Sequence, residues 1–180
     1  DDGKRKGDVV VMSCPFSGTG NLPSDFYLIL QTCEDLSIPV MLDLAYINIS
    51  SLDALDLKYK CIETVTTSLS KVFPVEKLRI GIRLERKAYD DPVHAYNQNS
   101  YVNLQSVQVG HELIKKFNNK WLVTKYKDLQ KETCKKLSLT PSKSVIFGLA
   151  DKGKFDDYNR GGTKNRLCFS RIWDGRIKNY

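Results

Sequence analysis

Three short apolar runs, each closed by a polar or turn residue, constrain this chain more than anything else in it. Val9-Val10-Val11-Met12 ends in Ser13-Cys14-Pro15, Val40-Met41-Leu42 runs into Asp43, and Cys61 to Thr66 leads into Thr67-Ser68. Continuous apolar runs this short, bounded by turn residues, read as buried strands. Between the first two lies a turn-rich loop, Phe16 to Pro23, and then a helix with Ser24 as its expected N-cap. Phe26, Ile29, Leu30, Cys33 and Leu36 recur along that helix at helical spacing. Residues 51–57 read as a short helix or turn, and Ile80 to Leu84 as a fourth strand. Strand, loop, helix and strand in this rhythm predict βαβ units and an α/β fold with a mostly parallel sheet. Ligands of such sheets sit beyond the carboxyl ends of the strands. The loop after Met12, Asp43, and the turn Ser68–Lys71 all fall at such ends.

The second half has a different texture. Lys87 to Gln98 reads as a polar connection containing Asp90-Asp91-Pro92. A helix is expected from about Tyr101 to Asn118, with Val109, Leu113, Ile114 and Phe117 on one side. Another follows, with Leu122, Tyr126, Leu129 and Leu137 near one face, and Pro141 closes it. Ser144 to Leu149 is a predicted strand, Asp151 to Lys164 a polar loop, and Asn165 to Ser170 a last strand. The expected division is therefore 1–98 as part of a large α/β domain, 99–120 as a connecting helix, and 121–180 as a reduced α+β unit.

Composition narrows the classes. Of 180 residues, 41% are hydrophobic and 27% charged, a globular balance that excludes disordered and collagen-like chains. No apolar run approaches the ~20 residues that span a bilayer, and Asp1 to Lys6 is not followed by the apolar stretch of a secretory signal. Five widely spaced cysteines without a C-x-x-C pair argue against a disulfide framework or zinc site and for a reducing, cytoplasmic setting. The only histidines, His94 and His111, lack a ligand partner at i+3 or i+4, so no metal is expected. A net charge of +7 admits anionic partners. No arginine-rich block with interleaved aromatics singles out nucleic acid, and nothing points to a membrane.

Several residue types at the strand ends carry chemistry. A carboxylate at the edge of an apolar region, such as Asp43, needs a partner. It is either a cap or turn residue or the counter-ion of a buried cation. Tyr46, three residues on, either packs or presents its hydroxyl to the same place. A lysine such as Lys71 can form a Schiff base with an aldehyde when its amine is deprotonated. Arg79 can take a phosphate bidentately, and the Ser68 hydroxyl can add a donor.

Asp43-Leu44-Ala45-Tyr46 resembles the D-x-A-Y signature of fold-type I pyridoxal-phosphate enzymes of the aminotransferase class I/II group. Ser68-Leu69-Ser70-Lys71, Phe73 and Arg79-Ile80-Gly81 are similar to that family's S-x-S-K-x-F…R-x-G segment. Ser17-Gly18-Thr19-Gly20 stands where the family carries N-P-T-G, and Asn165 to Ser170 resembles its substrate-arginine strand. The resemblance spans about Asp8 to Ser170 and implies a pyridoxal-phosphate enzyme acting on amino acids or 2-oxo acids. It implies Lys71 as the Schiff-base and proton-transfer residue, Asp43 at the ring nitrogen and Tyr46 at the ring oxygen. It further implies Ser68 and Arg79 at the phosphate, and Arg166 at the substrate carboxylate. Ser17 and Gly18 depart from the family's asparagine and proline, which removes the usual amide contact to the ring. The family's glycine-rich phosphate turn and ring-stacking aromatic have no counterpart here. The resemblance thus implies the C-terminal portion of such an enzyme, completed by an N-terminal part, a complementary chain or a homo-oligomer. The alternative from the same residues is a non-catalytic binding or regulatory module that keeps the fold.

Overall fold

The chain folds around two sheets, and the computed structural model describes residues 7–173 of it. The first contains β1 (Val10–Ser13), β2 (Val40–Asp43), β3 (Ile62–Ser68) and β4 (Gly81–Glu85), in that spatial order. The second contains β5 (Thr140–Pro141), β6 (Phe147–Ala150) and β7 (Asn165–Cys168). The α-helices among the described residues are α1 (Phe26–Asp35), α2 (Pro92–Gln98), α3 (Leu104–Lys116), α4 (Trp121–Leu137) and the short α5 (Ser170–Trp173).

β1, β2 and β3 are parallel, as the βαβ rhythm predicts, and their register places Ser13, Asp43 and Thr66 side by side. β4 turns back antiparallel, with Gly81 opposite Ser68. Residues 69–80 hold no crossover α-helix, so a parallel return has no vehicle. A Cβ on Gly81 would lie 2.6 Å from the Thr67 carbonyl oxygen, so only glycine lets β4 close on β3 here.

α1 covers one face of this sheet through Phe26, Leu30 and Cys33, the i, i+4, i+7 stripe that the spacing predicts. They pack with Ile38, Val40, Leu42 and Ile62, and burial of each large side chain is worth about 2 kcal/mol. The helix starts at Phe26 behind Asp25, one residue later than the Ser24 cap expected, and no side chain caps it. β1 is not the fully buried strand that its valines suggest. It is a sheet edge with alternating exposure: Val10 and Met12 join the α1 core, whereas Val9 and Val11 are each 64% exposed.

Three further expectations change. Residues 51–57 form no helix. The connection before residue 99 contains α2, started by Pro92 at its first turn and by Asp91, whose carboxylate accepts from the His94 N–H. On α3, Val109, Leu113 and Phe117 pack inward but Ile114 is 47% exposed.

A second core joins the two sheets. Leu69, Val72 and Phe73, from the turn after β3, pack with Leu122 and Val123 of α4 and with Val145 and Phe147 at β6. α4 ends at Ser138 in the left-handed conformation, and Lys154 Nζ donates to the carbonyls of Leu137 and Ser138. That contact satisfies orphan carbonyls and complements the helix dipole. Among the described residues, no helix is long and apolar enough to cross a membrane.

Candidate active site

The carboxyl ends of β1 and β2 open on a cavity of about 340 Å³ whose lining includes Ser13, Ser17, Gly18, Asp43 and Tyr46. Parallel pairing puts Asp43 beside Ser13, and the Ser13 hydroxyl donates to Asp43 Oδ2 at 3.0 Å. Oδ1 accepts from the Ala45 N–H, also at 3.0 Å. A carboxylate offers about four lone-pair sites, so two protein donors leave capacity toward the cavity. The neighbouring Cys14 thiol is pushed up to about 11, first by burial and then by the Asp43 charge. It is therefore neutral at ordinary pH.

The loop that carries Ser17 is fastened from the other sheet. Ser142 Oγ donates to the carbonyls of Gly18 and Thr19 at 3.1 and 2.8 Å, and the Lys143 N–H to Thr19 at 2.9 Å. Buried Ser50 holds the Gly20 carbonyl at 3.1 Å. Gly20 has φ +72, and a Cβ there would lie 2.3 Å from the Ser144 nitrogen. The glycine is required both by its conformation and by the close approach.

Lys71 closes a 3-10 turn, Leu69–Lys71, that follows β3 directly. The turn is started by Ser68, whose hydroxyl accepts from the Ser70 N–H, and anchored by buried Leu69, Val72 and Phe73. The anchoring leaves Lys71 exposed, with Nζ 5.1 Å from the centre of the Tyr46 ring. Tyr46 also meets Phe147, the ring centres 6.3 Å apart. Arg166, on β7, donates from Nη1 to the Ser17 carbonyl at 2.9 Å, and its guanidinium lies 4.4 Å from the centre of the Phe147 ring.

Ser17, Asp43 and Tyr46 thus line one cavity. Lys71 joins them through Tyr46, and Arg166 through Ser17. Arg79 does not join them. It has φ 51, is exposed, and donates to the Glu76 carbonyl. Ser68 lies across the sheet from Gly81, two residues past Arg79, but no contact joins the two side chains among the described residues. Two contributors escaped the sequence reading. Ser13 could have been found from the parallel register that sets it beside Asp43. Phe147 needed a pairing across β6 and β7 that no local pattern announces.

A half-satisfied carboxylate and a phenol line the opening, with an amine over the phenol ring and a guanidinium that has no carboxylate partner among the described residues bonded to the cavity loop. It suits a flat cation held at Asp43 and an anion held at Arg166.

No family model matches the chain, and no curated protein does. Solved structures do. An aminotransferase from Staphylococcus aureus superposes with a TM-score of 0.64 at 12% identity, over 91% of this chain and 54% of that one. L-threonine-O-3-phosphate decarboxylase from Porphyromonas gingivalis gives 0.58 at 15% identity, over 88% and 57%. An aromatic aminotransferase from Pyrococcus horikoshii OT3 gives 0.59 at 14% identity, over 91% and 55%. This chain therefore spans about half the length of the structures it matches. At such identities the likeness concerns the fold, which is a mixed α/β, parallel-rich part of an aminotransferase-like architecture.

Proposed function

We propose that this chain is the lysine-bearing portion of a pyridoxal-phosphate-dependent, aminotransferase-like enzyme acting on an amino acid or carboxylate-bearing amine. The observation that carries the reading is that Asp43 and Tyr46 line one cavity at the strand ends, with Lys71 Nζ over the Tyr46 ring and Arg166 bonded to the carbonyl of Ser17, which lines the same cavity. The donor set fits the ring end of that cofactor: a carboxylate with open lone pairs, a phenol, and an amine beside it. Its phosphate end has the Ser68 hydroxyl within the chain, and Arg79 would have to turn from Glu76 to join it. Completion of the site by an N-terminal segment, a complementary chain or a second copy is part of the proposal.

Bound pyridoxal phosphate supplies an aldehyde that condenses with amines and a ring that withdraws electrons from them. The chain's own residues do the rest. Asp43 would keep a proton on the ring nitrogen through the lone pairs that its two hydrogen bonds leave free, while Ser13 and Ala45 hold that carboxylate in orientation. Tyr46 would donate its hydroxyl to the ring's oxygen. Lys71, anchored through Leu69 and Phe73, would hold and move the proton taken from the substrate's α-carbon. Arg166 binds the α-carboxylate in a charge-assisted pair.

The test is borohydride reduction of the assembled protein with pyridoxal phosphate, followed by peptide mapping. Label on Lys71, abolished by Lys71→Ala, is the expected outcome. Label elsewhere, or none in an assembly that binds the cofactor, overturns the assignment.

A further inference from the structure

Arg166 is an arginine without an acid. Among the described residues no carboxylate pairs with it; one Nη1 hydrogen bond to the Ser17 carbonyl and the face of Phe147 are its contacts. A guanidinium carries five donors in a planar fork, so a neutral carbonyl at one of them leaves the fork largely unused.

Phe147 is unusually well placed to hold that fork. Antiparallel pairing sets Phe147 opposite Cys168 and Leu149 opposite Arg166, which makes Phe147 and Arg166 diagonal neighbours across β6 and β7. Long and aromatic side chains reach each other at that spacing. The ring itself cannot wander: Phe147 is 4% exposed. Its N–H donates to the Ser144 carbonyl at 3.0 Å, and its own carbonyl accepts from Gln130 Nε2 at 2.7 Å. Tyr46 backs it from the cavity side. A ring face under the guanidinium carbon attracts the charge without offering a hydrogen-bond acceptor, so it consumes none of the donors. The side-chain ordering that a ligand would otherwise impose is already in place before it arrives.

We infer that Phe147 is the positioning residue of a carboxylate receptor at Arg166, and that the Ser17 carbonyl is its resting acceptor. An incoming carboxylate adds charged acceptors to a fork already oriented by the ring, and the Ser17 contact ties that event to the cavity loop. The inference rests on the assignment of Arg166 to a substrate carboxylate, and it adds a residue and a specific geometry to that assignment.

The experiment is an NMR titration of the intact chain with propionate, followed at the Arg166 Nε–Hε resonance, with propionamide as the neutral match. In the unmodified protein this resonance is expected upfield of its free position because of the ring beneath it, and it should move with propionate only. Phe147→Leu should abolish the ring shift and weaken propionate about three- to tenfold; Phe147→Tyr should keep both. A free-position resonance in the unmodified protein overturns the role of Phe147 without any variant, so a failure of Phe147→Leu to fold does not protect the idea. So does a folded Phe147→Leu protein that binds propionate as before. Arg166→Lys separates the two levels. If it loses propionate while Phe147→Leu does not, only the positioning role falls. If neither matters, or the unmodified chain ignores propionate, the carboxylate assignment of Arg166 falls with it.

Discussion

Gln130 and Asp43 are both polar side chains set against apolar cores, and the chain treats them in opposite ways. Gln130, on α4, is 3% exposed, and its Nε2 donates to three carbonyls, those of Ser142, Ser144 and Phe147. Asn165 on β7 is 0% exposed and as fully engaged: it donates to Lys154 and Asp156 and accepts from Asn159. The amide donors of both side chains are spent on protein acceptors and are not left to offer a ligand. At the cavity the accounting is open. Asp43 meets two donors, Arg166 uses one of its donors on a carbonyl, and Lys71 meets a ring face. Closed polar networks fix the second sheet, which in turn holds the cavity loop through Ser142 and Lys143. The open groups lie on that fixed frame, which is what preorganised chemistry requires.

The strongest way to break this division is to damage the seam between the two regions. Gly20→Ala puts a Cβ 2.3 Å from the Ser144 backbone at φ +72, so either the loop or the Ser142–Ser144 segment must move. Left-handed strain and overpacking together predict a loss of about 3 kcal/mol or more. Denaturant unfolding measures it, and a displaced Ser17 should also release the Arg166 hydrogen bond. A fully stable Gly20→Ala protein would mean that the seam is loose and the frame argument wrong.

A direct comparison of the two kinds of polar group sharpens the distinction. Gln130→Leu removes a donor from buried carbonyls and should cost about 2–3 kcal/mol. Two of the three carbonyls keep another donor, Phe147 N–H for Ser144 and Ser142 N–H for Phe147, which limits the damage. Asp43→Asn keeps shape, an oxygen for the Ala45 N–H and an NH2 that can donate to the Ser13 hydroxyl, so its cost should stay under about 1 kcal/mol. Equal losses in urea titrations would make Asp43 a structural residue and remove its claim to a ligand.

The same contrast explains what the sequence could disclose. The strand-end positions of Asp43, Ser68 and Lys71 were legible because a parallel pattern brings strand ends together whatever the details of packing. The α1 stripe was legible for a similar reason, since helical spacing alone selects Phe26, Leu30 and Cys33. The Phe147–Arg166 pair was not, because it depends on the register of β6 against β7, a pairing between strands that no local pattern announces. Nor was the exposure of Val9 and Val11, which follows from the edge position of β1 rather than from hydrophobicity. α2 was missed although Asp91 and Pro92 advertised its start; their turn-forming character outweighed their capping role. The antiparallel β4 needed knowledge that no crossover helix forms between Lys71 and Gly81. The side chain of Arg79, turned to Glu76, depends on its left-handed backbone, which no motif reveals.

The smallest effect concerns a polar group of an intermediate kind. Glu34, at the end of α1, accepts the Cys61 N–H at 2.6 Å and so ties the helix to the start of β3. That backbone hydrogen bond holds its carboxyl below the usual range, with Lys60 adding to the effect. Because the folded value is depressed, the contribution is present above the unfolded carboxylate range, near pH 4.5, and fades as pH falls through the lower folded value. Thermal melts of the unmodified chain should therefore lose stability on acidification in that window. Glu34→Gln should flatten this part of the profile while leaving the neutral-pH fold in place. Asp91 and Glu63 are depressed by their own donors as well, so a residual slope must remain. If the slope is unchanged in Glu34→Gln, the tie between α1 and β3 is not electrostatic. Glu34 then behaves like Gln130, a hydrogen-bonding plug whose charge is incidental.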